Sequence, residues 1–472
     1  MAPRNRPAAK TVVKTQTIKP KAPKTSDAPM IFGGLAWPNF PRGRDVQAMA
    51  LQVEFAMVER WPFEKIQHYQ LAQAQALINH AHKTVPYYKD ILAPFAGKPL
   101  GQLTMAEFRK IPLLNRTLIQ DHKDALVTTS LPASHGRMFD VRTSGSTGRP
   151  MEVKGTAVTG TMYMAQSVRG HIWHQRDLTL KNVTIRALNG DKEIEYNRGW
   201  SAGSVGLNVM LDKKIPSAKI LDILVKEDPD YLQCYPSTLR DLLRLSIERK
   251  VKLNKLREVR TLSEILEPDL VIQVKKHWGI RVVNNYSAME INVIALECPD
   301  EPKNMHIMAE SVLLEVLDDD GNACQPGEIG RCVVTTLSNY ATPLIRYEYG
   351  DYAEVGPACS CGRGLPALTK IIGRKHNLMV LANGDKFSPT IPPSDALFEL
   401  PLRQYQLVQT SLEEVEIRVV TDRKLTVEEE GRLIKIYKEE EKYPFNFTVK
   451  YMEGIPSMAS GKYDLFRSEV DV

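Results

Sequence analysis

Nowhere in the sequence is there a run of about eighteen apolar residues, the length a helix needs to span a bilayer. The sequence therefore predicts no membrane partner, and its N-terminus lacks the apolar core of a secretory signal. Cysteine is sparse. Six are scattered through the chain instead of forming the dense array of a disulfide scaffold, which points to a reducing, cytoplasmic setting. No internal repeat is visible, so solenoids and propellers are excluded. Excess charge is missing too, outside one segment. Residues 1–29 carry Arg4, Arg6, Lys10, Lys14, Lys19, Lys21 and Lys24 against Asp27, which equals the whole chain's net +6. That Pro/Lys/Thr tail has too few apolar groups to fold and no aromatic for base stacking, so it reads as a solvated leader and not a nucleic-acid arm.

What remains is ordinary for a globular protein, with 43% hydrophobic and 25% charged residues. At 472 residues, two or three domains are expected. From Lys65 toward Ile91 the apolar spacing is helical, stopping at Val85-Pro86-Tyr87-Tyr88. Between about 100 and 225, apolar runs such as Val183–Leu188 alternate with amphipathic stretches such as Ser217–Val225, and Pro236-Ser237 opens another helix. This alternation predicts an α/β domain with a largely parallel sheet. After about 305 the pattern turns β-rich, with a hairpin from Val312–Leu317 to Gly330–Thr336. Past Gly373-Arg374 it changes again, to a small α+β domain in which Thr426 and Glu429 form a capping box.

Thr143-Ser144-Gly145-Ser146-Thr147-Gly148-Arg149-Pro150 is the segment richest in chemistry. Its glycines let backbone amides approach an anion, its hydroxyls donate, and its arginine can fork onto phosphate oxygens. It is not a P-loop, since the G-x-x-x-x-G-K-[ST] spacing is absent. Alone, the same cluster also describes a polar turn. Further along stand Ser263-Glu264, then Tyr286-Ser287-Ala288-Met289-Glu290 after the apolar run Ile280–Val283, which places it at a strand end where α/β ligand crevices open. Asp351 follows Gly350, Gly373-Arg374 sits at the inferred domain junction, and Ser460-Gly461-Lys462 lies near the C-terminus.

In this order, together with His80–Tyr88 and Pro343-Leu344-Ile345-Arg346-Tyr347, the motifs resemble the adenylate-forming (acyl-CoA synthetase) superfamily, specifically its phenylacetate-CoA ligase-like branch. The resemblance covers roughly residues 60–470. It implies an α/β fold with a large N-terminal AMP-binding domain over 30–373, a β-rich zinc-bearing section over about 298–370, and a small mobile α+β domain over 374–472. It also implies an acid–thiol ligase that uses ATP and Mg²⁺ to make an acyl-AMP and then transfers the acyl group to CoA.

The resemblance assigns roles residue by residue. Ser144, Gly145, Ser146, Thr147, Gly148 and Arg149 would hold the ATP phosphates, and Glu290 would anchor Mg²⁺. Asn285 and Tyr286 would line the adenine and acyl pocket, with Ser263 and Glu264 opposite. Asp351 would hold the ribose, and Arg374 a ribose or phosphate oxygen. Lys462 would place its charge between the carboxylate and the α-phosphate. Trp200, Gly203, Tyr286 and Ser287 would face the acid. Cys298, His306, Cys359 and Cys361 are a Cys₃His set of the kind that suits tetrahedral Zn²⁺, at a spacing unlike a standard finger; the branch resemblance makes it a structural site. Cys234, Cys324 and Cys332 are expected to be buried small residues. Homodimers are common in the branch.

Ser287 stands where the branch usually has glycine beside the tyrosine of the acyl pocket, and Arg149 replaces the commoner lysine of the phosphate loop. Gly373-Arg374-Lys375-His376 lacks the usual aspartate and Ala382–Pro389 departs from the usual sequence, and these two changes cluster on the part that serves thiolation. The expectation is a ligase acting on an aromatic or compact organic acid. The alternative acceptors are an amine, a hydroxyl or a carrier-protein thiol, or else AMP passes to a cofactor.

Overall fold

A computed structural model describes residues 43–143, 151–188, 192–202, 204–389, 397, 399–440, 443–456 and 464–470. From Gly43 onward the chain forms one compact unit. Its centre is a parallel array. Asn182–Arg186 lies between Leu207–Asp212 and Tyr231–Cys234, followed by Glu258–Thr261 and Arg281–Ala288. The expected α/β class is the one observed.

Strand alternation explains the layering. Val183, Ile185, Val209, Leu211, Leu232, Cys234 and Val259 point to one face, where they bury against Ile220, Leu221 and Leu224, Leu239, Leu242 and Leu243, and Leu270 and Val274. Those partners come from the helices Ser217–Glu227, Pro236–Glu248 and Pro268–Trp278. On the far side runs Ala157–Trp173, against which Arg44–Val58 packs through Ala48, Phe55, Ala165 and Val168.

The β-rich section is not a separate sheet. Beyond Arg281–Ala288 the same sheet turns antiparallel and continues through Asn292–Glu297, Met305–Ile307, Ala367–Arg374, Tyr347–Val355, Ile329–Thr336 and Val312–Leu317. Helix Phe63–Thr84 buries Leu71, Ala74, Leu77, Ile78 and Ala81 in the core of this half and ends before Pro86, which cannot donate to a continuing helix.

The last hundred residues build a second sheet, Asn446–Tyr451, Glu414–Thr421, Leu402–Gln409 and Phe466–Ser468, with its own core around Leu407, Val415, Ile417, Leu433 and Phe447. The Thr426/Glu429 capping box is formed, but the α-helix it opens runs from Val427 to Lys435 and passes into a π-turn. Among the described residues no helix is long and apolar enough to cross a membrane.

Candidate active site

Sequence reasoning put the tyrosine motif at a strand end. The strand ends at Ala288, inside the motif, and Asn292–Glu297 folds back to pair Val293 with Ser287 and Ala295 with Tyr286. Tyr286 is therefore locked into the sheet and buried. Its hydroxyl donates to Asp351 Oδ2 at 3.0 Å and lies 2.7 Å from the Tyr349 hydroxyl. Tyr286 has one proton, so Tyr349 is the donor between the two phenols. Burial, then the Asp351 charge, pushes the Tyr286 phenol well above its ordinary range, so it stays neutral.

Arg374 reaches the same carboxylate from the neighbouring strand, its Nε 3.2 Å from Asp351 Oδ1 and its Nη1 donating to the Tyr349 carbonyl at 2.6 Å. Glycine permits this approach. Gly350 has φ +88°, and a Cβ there would stand 2.8 Å from Arg374 Nη1. Glu290, half-buried, lies in the same field: burial raises its pKa, Arg374 and Arg116 act to lower it, and Asp351 to raise it. Tyr286, Asp351, Arg374 and Glu290 are thus brought together. Tyr349 and Arg116 join them without having been singled out. Tyr349 was legible in principle, because Tyr347, Tyr349 and Asp351 alternate onto one face of their strand.

Thr143 stands at the edge of this group. It exchanges two 3.0 Å bonds with Met151, its N–H to the Met151 carbonyl and its Oγ1 from the Met151 N–H, and its Oγ1 accepts from Arg116 Nη2 at 3.5 Å. Met138–Arg142 and Glu152–Thr156 pair on either side. Ser144, Gly145, Ser146, Thr147, Gly148 and Arg149 lie outside the described residues, as do Gly203 and Lys462.

Five more of the expected residues lie within the described part of the chain. Glu264 accepts from the Ser237 N–H at 2.9 Å and so caps helix Pro236–Glu248, while Ser263 adopts φ +69°. Asn285 is half-buried and Ser287 exposed. Trp200 packs on the sheet face beside His171 and Tyr231, its Nε1 donating to the Leu180 carbonyl at 3.0 Å. Of the three remaining cysteines, Cys324 is half-buried, contrary to expectation, since it follows the open turn after Leu317.

The sulfurs of Cys298, Cys359 and Cys361 and a nitrogen of His306 all lie within 4.8 Å of one another. A tetrahedral Zn–S geometry separates sulfurs by about 3.8 Å, and Cys298 and Cys359 stand 3.9 Å apart. His306 Nδ1 lies 3.2 Å from the Leu365 carbonyl, which fixes the proton there and leaves Nε2 facing Cys361 at 3.3 Å. Backbone amides of Glu301 and Arg363 donate to Cys298 and Cys361, and the Asn304 side chain to Cys359. Donor type, number and second-layer bonds fit a zinc ion.

The model for the AMP-binding enzyme family matches residues 89–339, more than half of the chain. The chain belongs to that family. Phenylacetate-coenzyme A ligase of Thermus thermophilus is 24% identical over 77% of this chain and 83% of its own length. The Pseudomonas putida protein of the same name is 22% identical over 79% and 88%. Among solved structures, 2-hydroxyisobutyryl-CoA ligase with a bound acyl-AMP superposes with TM-score 0.69 at 17% identity, over 87% of this chain and 91% of that one. For this family member the fold is therefore that of an adenylate-forming enzyme of the phenylacetate-CoA ligase-like branch.

Proposed function

We propose that the protein is an ATP-dependent, AMP-forming ligase that activates an aromatic or compact carboxylic acid as its acyl-AMP and passes the acyl group to the thiol of CoA. The observation that carries this reading is the Tyr286–Asp351–Arg374 cluster with Glu290 beside it. A carboxylate cannot expel oxide, so its oxygen must first attack the α-phosphate of ATP, releasing pyrophosphate. That step gathers negative charge, and catalysis is positioning plus cationic stabilisation.

Each group has a task within this reading. Asp351, held by Tyr286 and Arg374 on its two oxygens, keeps lone pairs for the ribose hydroxyls. Glu290 offers the hard oxygen that Mg²⁺ prefers, with cationic neighbours where phosphates would lie; the ion, when bound, neutralises phosphate charge. Ser144–Arg149 would cradle the phosphates, and Lys462 would bring the migrating charge together with the acid. Cys298, His306, Cys359 and Cys361 would hold a structural zinc away from the reaction. The C-terminal domain, hinged near Gly373-Arg374, would open the path for the thiol.

Acid-dependent ATP–pyrophosphate exchange over a panel of carboxylic acids, repeated with CoA, tests the proposal. Exchange followed by a CoA-dependent thioester is the expected result. Exchange without thioester transfers the reading to an amine, hydroxyl or carrier-protein acceptor. No exchange with any acid overturns it.

A further inference from the structure

The two faces of the parallel array differ in kind. One is apolar apart from the buried Thr261. The opposite face of the same strands is mainly polar: Asn182, Thr184, Asn208, Asp212, Tyr231, Glu258 and Arg260 are buried, and Met210 and Gln233 half-buried. Register places them as neighbours: Asn208, Asn182, Tyr231, Glu258 and Arg281 form one row, and Met210, Thr184, Gln233, Arg260 and Val283 the next. An internal sheet face covered by a helix is normally apolar, so a polar floor here needs a reason.

Its arginines are only partly satisfied. Arg260 is 6% exposed; its Nη2 donates to Asn182 Oδ1 at 2.8 Å, while its Nε has no partner among the described residues. Arg176 is 8% exposed. It donates from Nε to Glu258 and from Nη1 to the Gly170 carbonyl at 2.7 Å, and its Nη2 is likewise unpartnered among the described residues. Glu258 is shared, since Arg281 Nε takes its second oxygen at 2.7 Å. Three guanidiniums, Arg176, Arg281 and Arg260, therefore act on Glu258, and Arg176 also acts on the carboxyl of Glu297. Burial, then Arg176, pulls Arg260 down to about 9, the signature of a cation short of a counter-charge. Trp200 lies over this guanidinium, 5.2 Å from ring centroid to Cζ.

The floor leads to the active site. Arg260 lies near the carboxyl end of its strand, and its register partner Val283 precedes Tyr286 by three residues, about 10 Å along the strand, while Arg176 meets Glu258 at the amino end. Ligands of open α/β sheets enter at these carboxyl ends.

We propose that Arg260 and Arg176 bind a second carboxylate, at the far end of the acid whose first carboxylate is activated beside Tyr286 and Glu290, so that the substrate class is dicarboxylic acids. This rests on the ligase reading above. The unpartnered N–H groups supply the donors, the second carboxylate supplies the missing charge, and the Trp200 ring covers the pair.

The test compares matched acids on the full chain. Malonate, succinate, glutarate, adipate and terephthalate are set against propionate, butyrate, hexanoate, benzoate and phenylacetate, reading pyrophosphate release and, without ATP, the thermal midpoint. At least one dicarboxylate should exceed its monocarboxylate partner by about tenfold or more in kcat/KM, because unpaired buried donors reject an analogue that lacks their acceptor. Arg260→Met should collapse that ratio by about tenfold, and Arg260→Lys should restore part of it. Monocarboxylate turnover without dicarboxylate preference, in the wild-type protein, overturns the site while leaving the ligase reading intact. Dicarboxylate-specific thermal stabilisation with no pyrophosphate release from any acid upholds the site and removes the ligase reading. The wild-type comparisons stand even if Arg260→Met does not fold.

Discussion

Asp351 is the residue through which the candidate site is tied together, since its two oxygens take a phenol from one strand and a guanidinium from another. Asp351→Asn keeps the shape and removes the charge that both partners answer. We expect kcat/KM for ATP to fall by the equivalent of about 1.5–3 kcal/mol, the range for hydrogen bonds to charged groups, with little change in thermal midpoint. Exchange kinetics at varied ATP check this, and an unaltered ATP dependence would remove Asp351 from the nucleotide site. Glu290→Gln should act differently. It should raise the Mg²⁺ concentration for half-maximal exchange by about tenfold or more, an effect that titration with the metal separates from loss of ATP affinity.

At the scale of elements, the Cys₃His group clips together strands distant in the chain, with Cys298 just after Asn292–Glu297, His306 within Met305–Ile307, and Cys359 and Cys361 before Ala367–Arg374. If zinc holds it, metal analysis should find about one ion per chain, and chelator treatment or Cys361→Ser should lower the thermal midpoint while leaving ATP affinity largely intact. Purified protein free of zinc yet unchanged by chelator would end that reading. The ligand set was legible in sequence because cysteine and histidine are few and chemically particular. The candidate-site motifs, built of common residue types, were legible only through their order along the chain, which resembles that of the family. Other features were not. The helix-capping bond from the Ser237 N–H to Glu264 is one such feature, because the carboxylate lies 27 residues away in sequence. Arg260 and Glu258 look like the solvent side of a half-buried strand, because alternation in one strand does not reveal that a helix covers both faces. Which carboxylate meets which arginine depends on strand order, and strand order is not local.

For the whole molecule, acid should expose the cost of a buried basic layer. Burial, then Arg176 and Arg281, holds His174 down to about 3, and His171 beside it is lowered well below its ordinary range for the same first reason. Below about pH 6.5 the unfolded chain takes protons that the folded one refuses, so stability present at neutral pH is lost as pH falls, by about 2 kcal/mol at pH 5 for His174. Thermal midpoints measured from pH 8 to 5 should therefore drop, and His174→Gln should flatten the slope; an equal slope in both proteins would refute the assignment. Reaction chemistry makes a separate demand on the whole chain. Contacts between the C-terminal part and the rest include Lys386–Asp319 at 2.9 Å, Lys370 Nζ donating to the Ser388 carbonyl at 3.2 Å, and Arg240 5.4 Å over the buried Tyr405 ring, which a domain rotation would have to exchange. A lysine carried on such a domain can serve one half-reaction and then leave. Lys462→Ala should accordingly depress acid-dependent exchange by on the order of 10²–10³-fold, while supplied acyl-AMP still reacts with CoA at close to the wild-type rate. Equal loss in both assays would place Lys462 in binding or folding, and undiminished exchange would take it out of the reaction.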